Sequence, residues 1–291
     1  MSGFKDGERL VDDLREDADW LNKDHYDYDD LVRLMRFLLG ADGCPWDRAQ
    51  TLDTLRQYML EEAYEVVEAI ENRDLALLTE ELGDMQFEIV FQMLVAERDH
   101  GLETDQVMTG VVQKMIRRHS HIFEQDEAST ADDVNAIWEQ NKRLERAGAA
   151  AGQEAQPSAM DGVALALPAL VRAHKLASRA AGHGFDWPDA SACVGKVEEE
   201  LAELRAAMAL EGPGWQEAVT EELGDLLQAA ANLGRLLGVN SELALAQSNT
   251  KFEQRYRAME QQIWADGLAV DDLPAAGLDR YWQRVKQIDG E

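Results

Sequence analysis

Apolar positions along the chain recur at intervals of three and four residues, and no alternating stretch is long enough to suggest a strand. This spacing predicts helices throughout. In the first half, Leu31, Leu34, Met35 and Leu38 predict a helix from Tyr28 to about Leu39. Leu55, Met59, Ala63, Val66, Val67 and Ile70 predict a second over Thr51 to Ile70. A third, over Leu75 to His100, is strongly apolar beyond Asp84, with Gly101 as its stop. Further helices are expected over Asp105 to His119 and Ala131 to Arg146. The second half repeats the order: Val163 to Ala181, Ala192 to Leu210, Trp215 to Leu237, Ser241 to Trp264 and Asp279 to Ile288.

The repeat goes beyond helix number. Each half sets a Trp/Asp loop before its first acidic helix, Trp46-Asp47 in one and Asp186-Trp187 in the other. Lys114 and Arg118 are spaced as Lys251 and Arg255 are, and Trp138 and Lys142 as Trp282 and Lys286 are. Duplication of one helical unit explains this most simply. The expected fold is all-α, with tandem duplicated helical-bundle domains. The expected boundaries are an acidic, poorly docked extension over 1–28, a helical domain over 29–146, a linker over 147–160 and a second domain over 161–291. The linker is read from the small, unpatterned run Ala147 to Ser158.

Composition narrows the partners. The net charge of −29 rules against a basic nucleic-acid footprint. Cys44 and Cys193 are far apart and suggest a reducing compartment without disulfides. With no membrane-length apolar run and no basic-then-apolar leader, a soluble cytoplasmic protein is expected, with neither membrane nor nucleic acid as partner.

Two acidic phrases occur in each half. Glu62 and Glu65 precede Glu81 and Asp84; Glu200 and Glu203 precede Glu222 and Asp225. Residues three apart share a helix face, so each phrase sets two carboxylates side by side. The apolar stripes Val197, Leu201, Leu204, Met208 and Leu223, Leu226, Leu227, Ala230, Leu233 place these acids on the flank of a core. A short connection favours antiparallel packing, which would bring four carboxylates together. One Glu-x-x-Glu alone is most simply a solvated helix face. Paired, flanking a core and repeated, the acids would repel and shift upward unless cations joined them. All-oxygen ligation selects Mg²⁺, with Mn²⁺ as a possible substitute. A di-iron carboxylate site would need Glu-x-x-His on two helices, and only Glu97 with His100 fits that spacing. A non-catalytic nucleotide-sensing or partner-binding scaffold is the alternative.

In combination these motifs make the chain resemble the MazG family of nucleoside triphosphate pyrophosphohydrolases, in its two-domain form, over about 29 to 288. The motifs are Gly43-Cys44-Pro45-Trp46-Asp47, Glu61-Glu62-Ala63-Tyr64-Glu65, Glu81-Leu82-Gly83-Asp84, Arg117-Arg118-His119-Ser120-His121, Gly184-Phe185-Asp186-Trp187, Glu199-Glu200-Leu201-Ala202-Glu203, Glu222-Leu223-Gly224-Asp225 and Lys251-Phe252-Glu253-Gln254-Arg255. The resemblance implies a Mg²⁺-dependent homodimer. It implies cleavage of NTPs and dNTPs between the α- and β-phosphates, in nucleotide-pool housekeeping or a stress response. It implies Glu200, Glu203, Glu222 and Asp225 as metal ligands, with Glu199 joining them in catalysis. Lys196, Glu199, Glu221, Lys251, Arg255, Trp282 and Lys286 would bind nucleotide. Glu62, Glu65, Glu81 and Asp84 form a possible second metal site. Two departures stand out: Tyr58 occupies the position of Lys196, and Glu217-Ala218-Val219-Thr220 lacks a lysine that the family carries. The first shifts the expected catalysis to the C-terminal half.

Overall fold

The computed structural model describes residues 14, 15, 17–124, 128–150 and 158–288. Among them the chain forms helices and turns, without strands, and divides into two compact units, Met1–Lys142 and Arg143–Glu291. The first carries α1 (Ala18–Leu21), α2 (Tyr28–Leu39), α3 (Pro45–Ala49), α4 (Leu52–Asn72), α5 (Leu75–His100), α6 (Thr104–Arg118), α7 (Ser120–Phe123) and most of α8 (Ala131–Ala150). The second carries α9 (Ala169–Ala181), α10 (Ala190–Met208), α11 (Trp215–Leu236), α12 (Ser241–Ala265), a 3₁₀ turn (Val270–Asp272) and α13 (Ala275–Ile288).

Local chemistry explains most of the boundaries. Thr51 caps α4, with its hydroxyl accepting from the Thr54 amide, and Asp74 caps α5 by accepting from the amides of Ala76 and Leu77. Gly101 ends α5 in the left-handed conformation, φ 69°. Helix α9 begins six residues later than its apolar pattern suggests. Pro168 sits at its N-cap and disfavours helical geometry in the residue before it. Helix α8 runs to Ala150, four residues into the stretch read as linker, because alanines prolong a helix readily. Residues 151–157 of that stretch lie outside the described residues.

The acidic N-terminal extension needs a correction. Residues 1–13 and 16 lie outside the described residues, but the segment from Asp17 to α2 is docked. Trp20 Nε1 donates to Asp30 Oδ1 at 3.0 Å, Lys23 pairs with Asp30 at 2.5 Å, and Arg33 pairs with Asp17 at 2.9 Å. Asp30 caps its own helix and is 8% exposed, so its second partners come from upstream. Leu14 is buried as well.

Each unit is built on one antiparallel helical hairpin, α4–α5 in the first and α10–α11 in the second. In the first, Met35, Leu39, Leu55, Val90, Phe91, Leu94 and Val95 form the core, where α2 also packs on α5. In the second, α9 covers α11, while Met259, Ile263, Tyr281 and Val285 join α12 to α13. A two-residue turn, Arg73 and Asp74, joins the first hairpin. The second turn, 209–214, is longer and carries Gly212 and Gly214 at positive φ. The loop before α3 depends on one close approach. A Cβ on Gly43 would lie 2.2 Å from the Leu38 carbonyl oxygen.

Candidate functional site

One acid on the first helix of each hairpin, Glu62 or Glu200, lies in a seam of buried residues, while Glu65 and Glu203 are exposed. On α10 the buried residues are Cys193, Glu200 and Ala207, seven apart. On α4 the same seam reads Leu55, Glu62 and Ala69, with Glu62 half-buried. Seven residues make two turns, so the three side chains of each seam stack along one face. Glu200 is therefore in line with the core, only 5% exposed, and not on its flank. The predicted apolar stripe lies partly outside: Leu201, Met208, Leu223 and Leu227 are 38% to 61% exposed.

The second helix of each hairpin brings the other acids. Carboxylate oxygens of Glu200, Glu222 and Asp225 lie within 4.8 Å of one another, and so do those of Glu62, Glu81 and Asp84. The expected four-acid cluster is thus three acids with a fourth at the edge. Glu203 remains close enough for its proton affinity to rise, first through burial and then through the Glu200 charge. In the first unit, burial followed by the Glu65 charge raises both Glu62 and Glu81. These shifts are what crowded carboxylates without a counter-ion produce.

The two groups differ in their cations. Lys196 Nζ donates to Glu199 at 2.9 Å and pairs with Glu200 at 2.7 Å, and the two acids hold its ammonium well above the ordinary lysine range. Tyr58, in the matching place, packs instead against the first core, its ring 6.2 Å from that of Trp46. The Oε2 atom of Glu62 is buried without a hydrogen-bond partner. Purely oxygen donors, one of them orphaned, fit a hard divalent cation such as Mg²⁺ or Mn²⁺.

Other predicted residues fall on other elements. Glu221 lines a shallow concavity at the start of α11 with Gly214, Gln216, Glu217 and Thr220. Lys251 and the buried Arg255 lie on α12, while Trp282 and Lys286 lie on α13, which packs on α12. Phe252 was not among the predicted site residues, yet its ring is 5.3 Å from Trp282 and 6.2 Å from Tyr256. Its place between Lys251 and Arg255 was the available signal. In the first unit the guanidinium of Arg118 and the ammonium of Lys142 lie over Trp138 at 5.3 and 5.8 Å, matching the predicted spacing. Glu97 pairs with Arg36 at 3.0 Å, and both three-acid groups contain carboxylates only, so the di-iron motif is not assembled among the described residues.

Fold and site together define an all-α protein of repeated helical hairpins, each closed around a carboxylate group. The model of the MazG nucleotide pyrophosphohydrolase domain matches residues 50–123. The chain is 40% identical over 260 residues to the nucleoside triphosphate pyrophosphohydrolase of Escherichia coli strain K12, covering 89% of this chain and 97% of that one. It is 35% identical over 265 residues to the Thermotoga maritima nucleoside triphosphate pyrophosphohydrolase/pyrophosphatase MazG, covering 90% and 96%. A solved mazG-related protein from Thermotoga maritima is similar over 40% of this chain and 98% of that one, at 31% identity and a TM-score of 0.36. The chain belongs to the MazG nucleotide pyrophosphohydrolase family.

Proposed function

We propose that the chain hydrolyses nucleoside triphosphates, ribo- and deoxyribo- alike, between the α- and β-phosphates, releasing nucleoside monophosphate and pyrophosphate. The α10–α11 hairpin carries the reaction. The supporting observation is the meeting of Glu200, Glu222 and Asp225 within 4.8 Å, with Lys196 against Glu200. The reaction class follows the names of the Escherichia coli and Thermotoga maritima relatives.

Glu200, Glu203, Glu222 and Asp225 hold Mg²⁺, or Mn²⁺ in its place. That ion would supply positive charge to the triphosphate and acidify a water. Glu199, with 57% of its side chain open to solvent, takes the proton of the attacking water in this reading. Lys196 keeps a full positive charge at the edge of the acids and meets the substrate phosphates there. Lys251 and Arg255 offset charge on the departing pyrophosphate. Trp282, with Phe252 beside it, offers a face for any base, and Lys286 lies one turn from Trp282. Glu221 borders the nucleotide from the concavity at the start of α11.

The first unit keeps Glu62, Glu65, Glu81 and Asp84 as a second metal site without a lysine, and turns over little substrate. A sensing or scaffolding role belongs to that unit. The protein acts as a cytoplasmic homodimer. Helix α6 buries no residue of its own and exposes Met108, Val112 and Ile116, an apolar face that a second copy would cover. No helix among the described residues is long and apolar enough to cross a membrane.

The test is to incubate the full chain with each nucleoside triphosphate and Mg²⁺ and to identify the products. Pyrophosphate and monophosphate are expected. Orthophosphate instead, or unchanged turnover in Glu222→Gln, overturns the proposal.

A further inference from the structure

A loop of the same form, glycine followed three residues later by tryptophan, precedes each hairpin: Gly43 to Trp46 in the first unit and Gly184 to Trp187 in the second. In the first unit the Trp46 ring lies 6.2 Å from the ring of Tyr58 on α4 and 6.5 Å from that of Phe91 on α5. The offsets that match the acids of the two hairpins also match Tyr58 with Lys196 and Phe91 with Asn232. The second unit has therefore kept the tryptophan and exchanged both of its ring neighbours for polar side chains.

The second loop is docked at the corresponding end of its hairpin by other means. Asp186 Oδ1 accepts from the Trp187 amide at 2.8 Å and also pairs with Arg235. The Nε atom of Arg235 in turn donates to Asn232 Oδ1 at 2.8 Å. The Arg235 side chain is only 14% exposed, so this charge-assisted tie is shielded from water. It fixes the backbone on either side of the Asp186–Trp187 bond without using the indole. Among the described residues no aromatic ring lies against Trp187, and the residue is 39% exposed. A large flat ring on a pinned loop, with no ring of the protein over it, is prepared to stack on a flat ligand.

Lys196 lies on the same side of the carboxylate group as this loop. It is one turn before Glu200, and six residues, about 9 Å, from the start of α10. Trp187 stands three residues ahead of that start. We propose that Trp187 contacts the substrate's nucleobase: the base of a triphosphate whose phosphates meet Lys196 stacks on the indole, in the place that Tyr58 fills in the first unit. This rests on the proposed meeting of Lys196 with the phosphates, and it adds a second ring to the face that Trp282 offers from α13. Stacking is tolerant of base identity. Asp186 and Arg235 are positioning residues, because they act through the loop that carries the ring.

The experiment measures, by isothermal titration calorimetry with Mg²⁺ on the full-length chain, the affinity for α,β-methylene ATP and for inorganic tripolyphosphate. The first carries a base and cannot be cleaved at the proposed bond; the second has phosphates and no base. Wild type is compared with Trp187→Leu, Trp187→Phe and Phe185→Leu, each checked for helix content by circular dichroism. Trp187→Leu is expected to weaken the nucleotide analogue at least about fivefold, the low end of losing a stacking partner, and to leave tripolyphosphate unchanged. Trp187→Phe should recover most of the loss. Phe185→Leu, at a neighbouring ring that is 83% exposed, should change neither affinity. Equal analogue affinity in wild type and Trp187→Leu overturns the proposal. So does a parallel loss of both ligands, which would make Trp187 a structural support, or an absence of analogue binding in wild type. Because the analogue is not turned over, failure here is distinct from failure of the proposed hydrolysis, which pyrophosphate release by wild type reads.

Discussion

Lys196 and Glu200 stand one helical turn apart on α10, with Nζ 2.7 Å from Oε1, and this contact makes a buried acid tenable in the second hairpin. The side chain of Glu200 is 7% exposed and that of Lys196 is 31% exposed. The lysine thus brings charge from the solvent edge to the seam. Lys196→Met is expected to lower nucleoside triphosphate turnover by about a hundredfold, the scale of losing one charged donor at a reacting group. It is also expected to lower the melting temperature of the metal-free protein, and Mg²⁺ should restore the melt but not the rate. An unchanged metal-free melt would deny the lysine this role.

The two carboxylate groups should respond unequally to the same substitution. Glu222→Gln removes an acid from the group next to Lys196, and pyrophosphate release should fall by at least about a hundredfold, as losses of metal-site partners do. Glu81→Gln removes the matching acid from the group beside Tyr58. It should weaken Mn²⁺ binding while pyrophosphate release continues. Parallel rate and metal-binding assays on both variants separate the two sites, and equal rate losses would make the first hairpin catalytic.

Stability of the metal-free protein should fall as pH rises toward neutrality. Glu62, Glu81 and Glu203 have proton affinities raised above the ordinary glutamate value of 4.5, by burial first and neighbouring acids second. A group raised in the folded chain binds its proton more tightly there, so the folded state is favoured at low pH and loses that advantage as these acids ionise. Asp30 runs the other way. Lys23 first, and then the Asp27 cap, hold it at about 2, and its contribution is lost only as pH falls from 3.8 toward that value. Melting temperatures of metal-free protein should therefore decline from about pH 5 to pH 7. Mg²⁺ should flatten the decline, and a flat metal-free profile would contradict the crowding.

Phe91 anchors the first core. It is fully buried, stacks edge-on to Phe87 with ring centres 5.7 Å apart, and lies 6.5 Å from the Trp46 ring. Phe91→Ala should cost about 3–5 kcal/mol, from lost transfer energy and the cavity left behind. Urea unfolding followed by circular dichroism, compared with wild type, would report it, and a cost below about 1 kcal/mol would show that the core collapses around the gap.

Much of the architecture was legible because helices are local. The spacing of Leu31, Leu34, Met35 and Leu38 marks α2, and Gly101 marks the end of α5. The acidic pairs were legible for the same reason, since three residues along a helix fix a shared face. What spacing could not give was which apolar face is covered. Leu201 and Leu223 read as core from their periodicity, but both are exposed, while Glu200 takes the buried place between Cys193 and Ala207. Periodicity reports that a face is apolar, not what lies against it. The docking of Trp20 and Lys23 on Asp30 was equally hidden, because it depends on residues seven and ten positions apart meeting across a loop. For Phe252 the place between Lys251 and Arg255 was the one cue, and the Trp282 ring beside it shows only in the fold.

The unequal turns of the two hairpins bear on how duplicated copies drift apart. Matching acids are offset by 138 positions before the turn (Glu62 and Glu200) and by 141 after it (Glu81 and Glu222), so three added residues fall between them. The acids nevertheless meet within the same 4.8 Å in both copies. Their register is set inside each helix, about 9–15 Å from the helix ends at 1.5 Å per residue, and not by the connection. A hairpin of this kind can gain or lose loop residues at its closed end while its interior chemistry holds still. That leaves the copies free to differ at single residues beside the acids, as Tyr58 and Lys196 differ here, without rebuilding the frame that holds them.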